Sequence, residues 1–168
     1  IGFVSSTNKS HTYDKAAVRP GTRIGNEKVL PFNKGFNDGA GNPVNPNGLK
    51  TAYLWEEILT KRNLSNILEH YAQVVTERNP DTRRNIEKNI WPCWHQLQLV
   101  RALLHETAKD NIGQRFLVQH SAGSGKSNSI TWLAYQLVEL LEGDQPLFDS
   151  VIIVTDRVNL DKQLRNNM

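Results

Sequence analysis

Eight consecutive residues, His120 to Ser127, contain the residue types that bind phosphate groups, in the order His-Ser-Ala-Gly-Ser-Gly-Lys-Ser. Glycines allow successive backbone N–H groups to converge on phosphate oxygens, and a helix that begins after the loop adds its positive end. In such a loop Lys126 contacts the β- and γ-phosphates as the catalytic cation, and the Ser127 hydroxyl binds Mg²⁺. The stretch therefore predicts a site for ATP or GTP. Its predicted ligand-binding residues are Ser121, Ala122, Gly123, Ser124, Gly125, Lys126 and Ser127.

The loop departs from the full pattern G-x-x-x-x-G-K-S/T at one position, where His120 stands in place of glycine. Its surroundings nevertheless suit a phosphate loop. Residues 115–119 form a short apolar run that predicts a buried strand, and helical spacing after the loop predicts a helix that ends near Glu142. The apolar residues of that helix are Trp132, Leu133, Leu137, Val138 and Leu141. The alternative is a Gly/Ser turn before a helix, and we expect His120 to be a packed residue rather than a catalytic one.

A second strand is predicted at residues 151–155, where the β-branched run Val-Ile-Ile-Val-Thr is typical of a parallel strand covered on both faces. Strand, phosphate loop, helix and strand together form a βαβ unit, which is right-handed in nearly all proteins. The polar residues that follow, beginning at Asp156, would lie at the carboxyl end of the sheet, where ligands gather. The sequence thus predicts an α/β fold with a parallel sheet.

Two of these motifs resemble motifs I and Ia of superfamily 2 helicases and translocases: the phosphate loop, and the run Val-Ile-Ile-Val-Thr-Asp-Arg-Val-Asn-Leu-Asp-Lys-Gln-Leu over residues 151–164. Two further stretches resemble the R subunit of type I restriction endonucleases. One is Trp94-His95-Gln96 followed by Leu99-Val100-Arg101, and the other is the long run from Leu30 to Glu57, rich in Gly, Pro and Asn. Such a long and unusual run discriminates better between families than a phosphate loop does.

The resemblance implies a protein that cuts DNA with a nuclease domain and moves double-stranded DNA with RecA-like motor domains. ATP and Mg²⁺ are the implied cofactors, and methyltransferase and specificity subunits of a type I restriction-modification complex are the implied partners. Motif Ia of the family grips the DNA backbone, which makes Arg157 and Gln163 the candidate DNA-binding residues. A helix N-terminus there can donate N–H groups to a phosphate, although Asp156 can equally cap that helix.

The expected fold is the start of a RecA-like parallel-sheet P-loop motor domain, preceded by the tail of a nuclease domain and a helical connector. Residues 1–50 would hold the C-terminal part of the nuclease domain, residues 51–90 the connector and linker, and residues 91–168 the N-terminal half of the first motor domain. Residues 31–50 could equally form a flexible interdomain loop, but the resemblance favours an ordered loop near the junction of the nuclease and motor domains, with Lys34 a candidate phosphate contact. The chain begins at Ile1, without an initiator Met, and is expected to be a fragment.

Helical spacing predicts two helices in the connector, with Trp55 and Tyr71 in the core. The first helix is indicated by Leu54, Trp55, Ile58 and Leu59, and the second by Leu64, Ile67, Leu68 and Tyr71. Residues 76–90 have few apolar side chains and favour a solvated linker. An alternative role for the cations of this segment is to contact DNA phosphates. These cations are Arg78, Arg83, Arg84 and Lys88.

A further helix is predicted to start near Trp94 and to end before Asn111, with Leu97 and Val100 on its apolar face. In superfamily 2 helicases a glutamine ahead of motif I recognises adenine, and Gln96 is the candidate. A carboxamide offers a donor and an acceptor side by side, which match N7 and N6 of adenine. Trp94 or His95 would stack on the base. Alternatively, Gln96 is a surface residue at the helix start.

Composition is compatible with this reasoning without proving it. The chain has 168 residues, 38% of them hydrophobic, and a net charge of +3, which is compatible with a nucleic-acid partner. A single cysteine, Cys93, excludes an internal disulfide and suits the cytoplasm. No apolar run is long enough to span a membrane, so no membrane partner is expected.

Some catalytic groups are missing from the sequence. No Asp-Glu pair follows a later apolar strand, and the metal-binding carboxylates of the nuclease would lie upstream of Ile1. We therefore expect the longer protein to be a type I site-specific deoxyribonuclease with ATPase and translocase activity, and the 168-residue chain alone to be inactive. The alternatives are another superfamily 2 DNA helicase, an ATP-dependent kinase or a non-catalytic nucleotide-binding module.

Overall fold

A computed structural model describes residues 32–35, 41–79, 83–110, 113–121 and 123–155 of the chain. The chain divides into two compact units, one up to Asn66 and one from Ile67 onward, and each is described by itself. The elements are a π-helical turn (Leu54–Ile58), α1 (Lys61–His70), β1 (Gln73–Arg78), β2 (Asn85–Ile90), α2 (Trp94–Asp110), α3 (Lys126–Val138), β3 (Leu141–Glu142) and β4 (Gln145–Pro146). None of the described helices is long and apolar enough to cross a membrane.

The described part of the Gly/Pro/Asn-rich loop in the first unit is held by side chains. The buried Asn42 accepts a hydrogen bond from the Lys34 backbone N–H at 2.8 Å, and the Tyr53 hydroxyl donates to the Phe32 carbonyl. Lys34 Nζ lies 3.5 Å from a Glu57 carboxylate oxygen and 4.8 Å from the centre of the Tyr53 ring. These contacts hold the described part of the loop, and order over the whole of residues 31–50 stays a prediction. A phosphate contact by Lys34 stays a prediction, because its ammonium group here faces Glu57.

Of the two helices predicted in the connector, the second is α1 and the first is only the π-helical turn. The Leu59 N–H donates to the Leu54 carbonyl at 2.6 Å, which closes a turn wider than that of an α-helix. In this wider turn, residues that are three positions apart do not lie on the same face, although the predicted α-helical spacing assumed that they do. Ile58 is fully buried, whereas Trp55 is 52% exposed. The prediction that Trp55 lies in the core is therefore wrong.

The segment predicted as a solvated linker is mostly strand. β1 and β2 pair antiparallel, from Gln73 opposite Ile90 to Arg78 opposite Asn85. The Asn79 N–H donates to the Arg84 carbonyl at 2.8 Å and continues the hairpin beyond the paired residues. Many side chains on the hairpin are exposed, so the backbone ladder rather than a buried apolar face holds it together. Whether a domain boundary lies here stays a prediction.

The core of the second unit lies between α2 and α3. Leu97 and Val100 of α2 and Trp132 of α3 are fully buried, and the Tyr71 ring lies 5.7 Å from the Trp132 ring at an angle of 54°. The predictions of α2, with its end before Asn111, and of a buried Tyr71 are confirmed. The packing of α2 against α3 thus supports the start of each helix, and both starts lie beside the predicted phosphate loop.

The parallel sheet is not found among the described residues, whose two sheets are the antiparallel hairpins β1–β2 and β3–β4. Residues 115–119 and 151–155, both predicted as buried strands, are unpaired there. Leu117 is 95% exposed and Ile152 is 84% exposed. A parallel strand gains its burial from strands on its edges and helices on both faces, and the described part of the chain supplies neither. What the structure shows is a mixed α/β unit.

The helix after the phosphate loop is shorter than predicted. α3 ends at Val138 rather than near Glu142, and Leu141 belongs to β3. Gly143 has a φ of 63°, which allows a two-residue turn between β3 and β4. The turn residues Gly143-Asp144 fit such a hairpin better than a continuing helix, and apolar spacing alone did not reveal this.

Candidate nucleotide-binding site

The loop before α3 has the backbone conformation that its glycines favour. Gly123 and Gly125 have φ values of 76° and 77°, in the left-handed region that glycine enters at little cost. The Ser124 N–H donates to the Ser121 carbonyl at 3.4 Å, and α3 begins immediately after Gly125. The N–H groups in the first turn of a helix have no partner within the helix. The loop therefore leads directly into an end that attracts anions.

Gly125 also lies close to a side chain from α2. The Gln96 Nε2 donates to the Gly125 carbonyl at 2.9 Å, while Gln96 Oε1 accepts the Cys93 N–H at 2.8 Å. A Cβ atom at position 125 would collide with Gln96 Nε2. The positive φ favours glycine at position 125, and a larger residue there would also displace the Gln96 amide.

A second bond from α2 reaches the preceding residue of the loop. His95 Nε2 lies 3.0 Å from the Ser124 carbonyl oxygen. Because a carbonyl only accepts, this nitrogen carries the hydrogen. The His95 ring also meets the His120 ring edge-on, with centres 5.2 Å apart and planes at 81°. The first turn of α2 thus supports the loop through both His95 and Gln96.

The Lys126 ammonium closes the loop from its other side. Its Nζ donates to the His120 carbonyl at 3.1 Å and to the Ser121 carbonyl at 2.7 Å, and the side chain remains exposed. An ammonium group has three N–H donors, so one is left for a phosphate oxygen. The structure therefore places the predicted catalytic cation beside the loop that would hold the phosphates.

The surroundings of His120 disfavour the protonated form of its ring. Burial lowers the pKa of His120, and electrostatic interactions with His95 and Lys126 lower it further. Burial also raises the pKa of the Cys93 thiol, which lies at the start of α2. The His120 ring packs edge-on against the His95 ring, in agreement with the expectation that His120 is a packed residue.

The residues present fit a triphosphate. Within the described part of the chain, the buried Ser124 Oγ has no hydrogen-bond partner, and it lies between the two left-handed glycines. An unpaired buried hydroxyl costs free energy unless a ligand supplies a partner. The described residues contain no group of three side chains that could hold a metal ion. Mg²⁺ would therefore depend on the Ser127 hydroxyl together with phosphate oxygens and water, as is usual for this ion.

The structure brings together the predicted residues Gln96, Ser121, Gly123–Gly125 and Lys126, and Ser127 follows in the first turn of α3. Ala122, Arg157 and Gln163 lie outside the described residues. The sequence indicated His95 only as a base-stacking candidate and did not reveal its bond to Ser124. Its position beside Gln96 at a predicted helix start was the one available signal.

Comparison with known families agrees with this geometry. Residues 95–168 match the family model described as SWI2/SNF2 ATPase. No curated protein and no solved structure matches the chain. The matched residues include α2 from its second residue onward, the phosphate loop and α3.

Proposed function

We propose that the chain binds Mg·ATP at residues 120–127 and forms part of a superfamily 2 motor that couples ATP hydrolysis to movement along double-stranded DNA. The observation that carries the proposal is the loop itself. Two left-handed glycines, the Lys126 ammonium and the start of α3 occur together inside the matched ATPase domain.

In this proposal each loop residue has a distinct task. Backbone N–H groups of Gly123 and of residues 125–127 bind phosphate oxygens, and Lys126 neutralises the β- and γ-phosphates. Ser127 binds Mg²⁺, which supplies charge neutralisation during phosphoryl transfer. The carboxylates that would orient water are not among the matched motifs, so hydrolysis requires residues beyond the phosphate loop.

Gln96 is proposed to recognise adenine as well as to hold Gly125. Its bonds to Gly125 and Cys93 use one of the two amide hydrogens and one of the two carbonyl lone pairs. The remaining hydrogen and lone pair can match N7 and N6 of adenine. Because Gln96 is only 4% exposed, adenine recognition would also require its amide edge to be uncovered when the nucleotide binds.

The RecA-like sheet belongs to the same proposal. Residues 115–119 and 151–155 would be neighbouring parallel strands, with the loop between the first strand and α3. Their exposed apolar side chains, among them Leu117 and Val154, support this proposal because such side chains favour cover by neighbouring elements. The polar residues after Thr155 would then lie near the ATP site.

At a finer level we propose the R subunit of a type I restriction enzyme, working in the cytoplasm with methyltransferase and specificity subunits and cleaving the DNA that it moves. The runs 30–57 and 94–101 support this assignment. The family match covers residues 95–168 and fits another superfamily 2 DNA helicase equally well. A non-catalytic nucleotide-binding module remains the candidate from a different class.

DNA dependence separates these candidates. In a protein that contains this chain, we expect double-stranded DNA to stimulate ATP hydrolysis. We also expect Arg157→Ala to weaken DNA binding and to reduce the slope of log affinity against log salt concentration by about 1. Lys109→Ala, at the end of α2, is the control. Hydrolysis that does not respond to DNA would exclude a translocase. Cleavage that requires added methyltransferase and specificity subunits would support the R subunit over a simple helicase.

A further inference from the structure

We propose that His95 is a positioning residue of the phosphate loop, which fixes the peptide between Ser124 and Gly125 so that the Gly125 N–H faces the phosphates. The inference rests on the proposed nucleotide site and assigns His95 a task other than stacking on the base. Its basis is the 3.0 Å contact between His95 Nε2 and the Ser124 carbonyl oxygen.

The geometry of the peptide bond carries the first step. In a trans peptide the C=O and the following N–H point in opposite directions. A Ser124 carbonyl held against the first turn of α2 therefore turns the Gly125 N–H away from that helix. Gly125 has a φ of 77°, and a glycine on one side of a peptide makes the opposite orientation easily accessible. A reversed peptide would present a carbonyl oxygen to the phosphates.

The second step compares the two carbonyls that α2 holds. The Gly125 carbonyl accepts Gln96 Nε2 at 2.9 Å and also the N–H groups of Asn128 at 3.1 Å and Ser129 at 3.3 Å. It keeps two helical bonds if Gln96 is removed. For the Ser124 carbonyl, the described residues provide one bond, from His95. The orientation of the Ser124–Gly125 peptide therefore depends strongly on His95. The orientation of the Gly125–Lys126 peptide depends less on Gln96, because two helical hydrogen bonds also hold it.

The third step explains the residue that departs from the phosphate-loop pattern. His120 stands where the pattern has glycine, and its ring meets the His95 ring edge-on at 5.2 Å. A glycine there would leave this side of the exposed His95 ring without a packing partner. The lowered pKa of His120 reduces charge repulsion between the two rings. The departure from the pattern thus supports the residue that orients the loop.

The test uses two variants that separate the donor from the ring. His95→Gln keeps an Nε2 donor and loses the ring, whereas His95→Phe keeps the ring and loses the donor. His105→Phe is the matched control, because His105 lies on α2 with its side chain 74% exposed. Dissociation constants are measured by calorimetry for Mg·ATP, Mg·GTP and magnesium tripolyphosphate, which has no base.

We expect His95→Phe to weaken all three ligands by a similar factor, about three- to tenfold, which is the range for one lost hydrogen bond. His95→Gln should recover most of the loss, and His105→Phe should bind as the unmodified chain does. Thermal unfolding is recorded for every variant. His95 is exposed, so all variants should fold.

Several results would overturn the inference. A loss confined to ATP and GTP would show that His95 contacts the base. Equal losses in His95→Phe and His95→Gln, unchanged binding in His95→Phe, or a His95→Phe chain that does not fold would each exclude a positioning role for the donor. If the unmodified chain binds none of the three ligands, the proposed nucleotide site is rejected together with the inference. If the unmodified chain binds them and His95→Phe has the same dissociation constants, only the inference about His95 is rejected.

Discussion

Gln96 combines two tasks at the scale of single residues. Its buried amide holds the Gly125 carbonyl and the Cys93 N–H, and its predicted task is to recognise adenine. The sequence suggested the second task through a family resemblance. It could not suggest the first, because a contact between residues 96 and 125 depends on how α2 packs near the loop. Long-range contacts of this kind leave no local pattern.

Replacing Gln96 by Ala should lower kcat/KM for ATP more than for GTP. Loss of the Gly125 contact affects both nucleotides equally, but only ATP also loses a matched pair of hydrogen bonds, which is worth about 1–3 kcal/mol. The measurement is the ratio of kcat/KM for ATP over that for GTP. Gln98→Ala, on the same helix, is the control. An unchanged ratio with equal losses would assign Gln96 to the loop alone.

Cys93 should react slowly with iodoacetamide at about pH 8. Burial raises its pKa, so a smaller fraction of the thiol is ionised than in a free cysteine, and the thiolate is the reactive form. The alkylation rate is followed by mass spectrometry in the native chain and in denaturant. Denaturation should raise the alkylation rate by more than the improved access to this half-buried thiol explains. As the pH rises, the rate in the native chain should approach the rate in denaturant. Equal rates at every pH would contradict the burial of this thiol.

At the scale of elements, α1 and α2 were predictable, the end of α3 and the π-helical turn were not, and neither were the strands. α2 carries apolar residues at helical spacing over its whole length, and Leu97 and Val100 are buried as that pattern requires. The hairpin β1–β2 was missed because it has few apolar side chains and no Asn-Gly or Asp-Gly pair to mark its turn. Residues 151–155 are β-branched, but strand formation depends on partners that a local pattern does not specify.

Trp132 should be the residue on which α2–α3 packing depends most. It is fully buried and contacts the Tyr71 ring, so Trp132→Ala should lower the free energy of unfolding by about 3–5 kcal/mol. Trp55→Ala is the control, because Trp55 is 52% exposed and surface substitutions usually change stability by about 0.5 kcal/mol or less. Urea unfolding followed by circular dichroism measures both. Equal effects would contradict the described core.

Limited trypsin treatment should cut first near the turn of the β1–β2 hairpin, after Arg78, Arg83 or Arg84. These side chains are exposed, and exposed turns are cut before packed helices. Arg101, within α2, should be cut later. The order of cleavage is measured by mass spectrometry of early fragments. Early cuts within residues 126–141 would mean that α3 is the less ordered part.

At the scale of the whole molecule, the sequence was a better guide to the class of ligand than to the architecture of the fold. The phosphate loop alone indicated a nucleotide, and the SWI2/SNF2 ATPase match over residues 95–168 agrees with it. The parallel sheet was inferred from two apolar runs whose neighbours are not among the described residues. Within the described residues the loop motif has its expected conformation although the predicted sheet is not found there, because contacts with α2 and with the preceding loop residues hold Gly125 and Lys126.

The most direct test of the nucleotide site is the binding of Mg·ATP to the unmodified protein and to Lys126→Ala. Hydrogen bonds to charged groups are worth about 1.5–3 kcal/mol, so the variant should bind roughly ten- to hundredfold more weakly, and any protein that contains this chain and hydrolyses ATP should lose that turnover. Lys109→Ala, which removes an exposed cation from the end of α2, should bind normally. Thermal unfolding should confirm that both variants fold. Equal affinity of Lys126→Ala and the unmodified protein for Mg·ATP would contradict the assignment of residues 120–127 as the phosphate site.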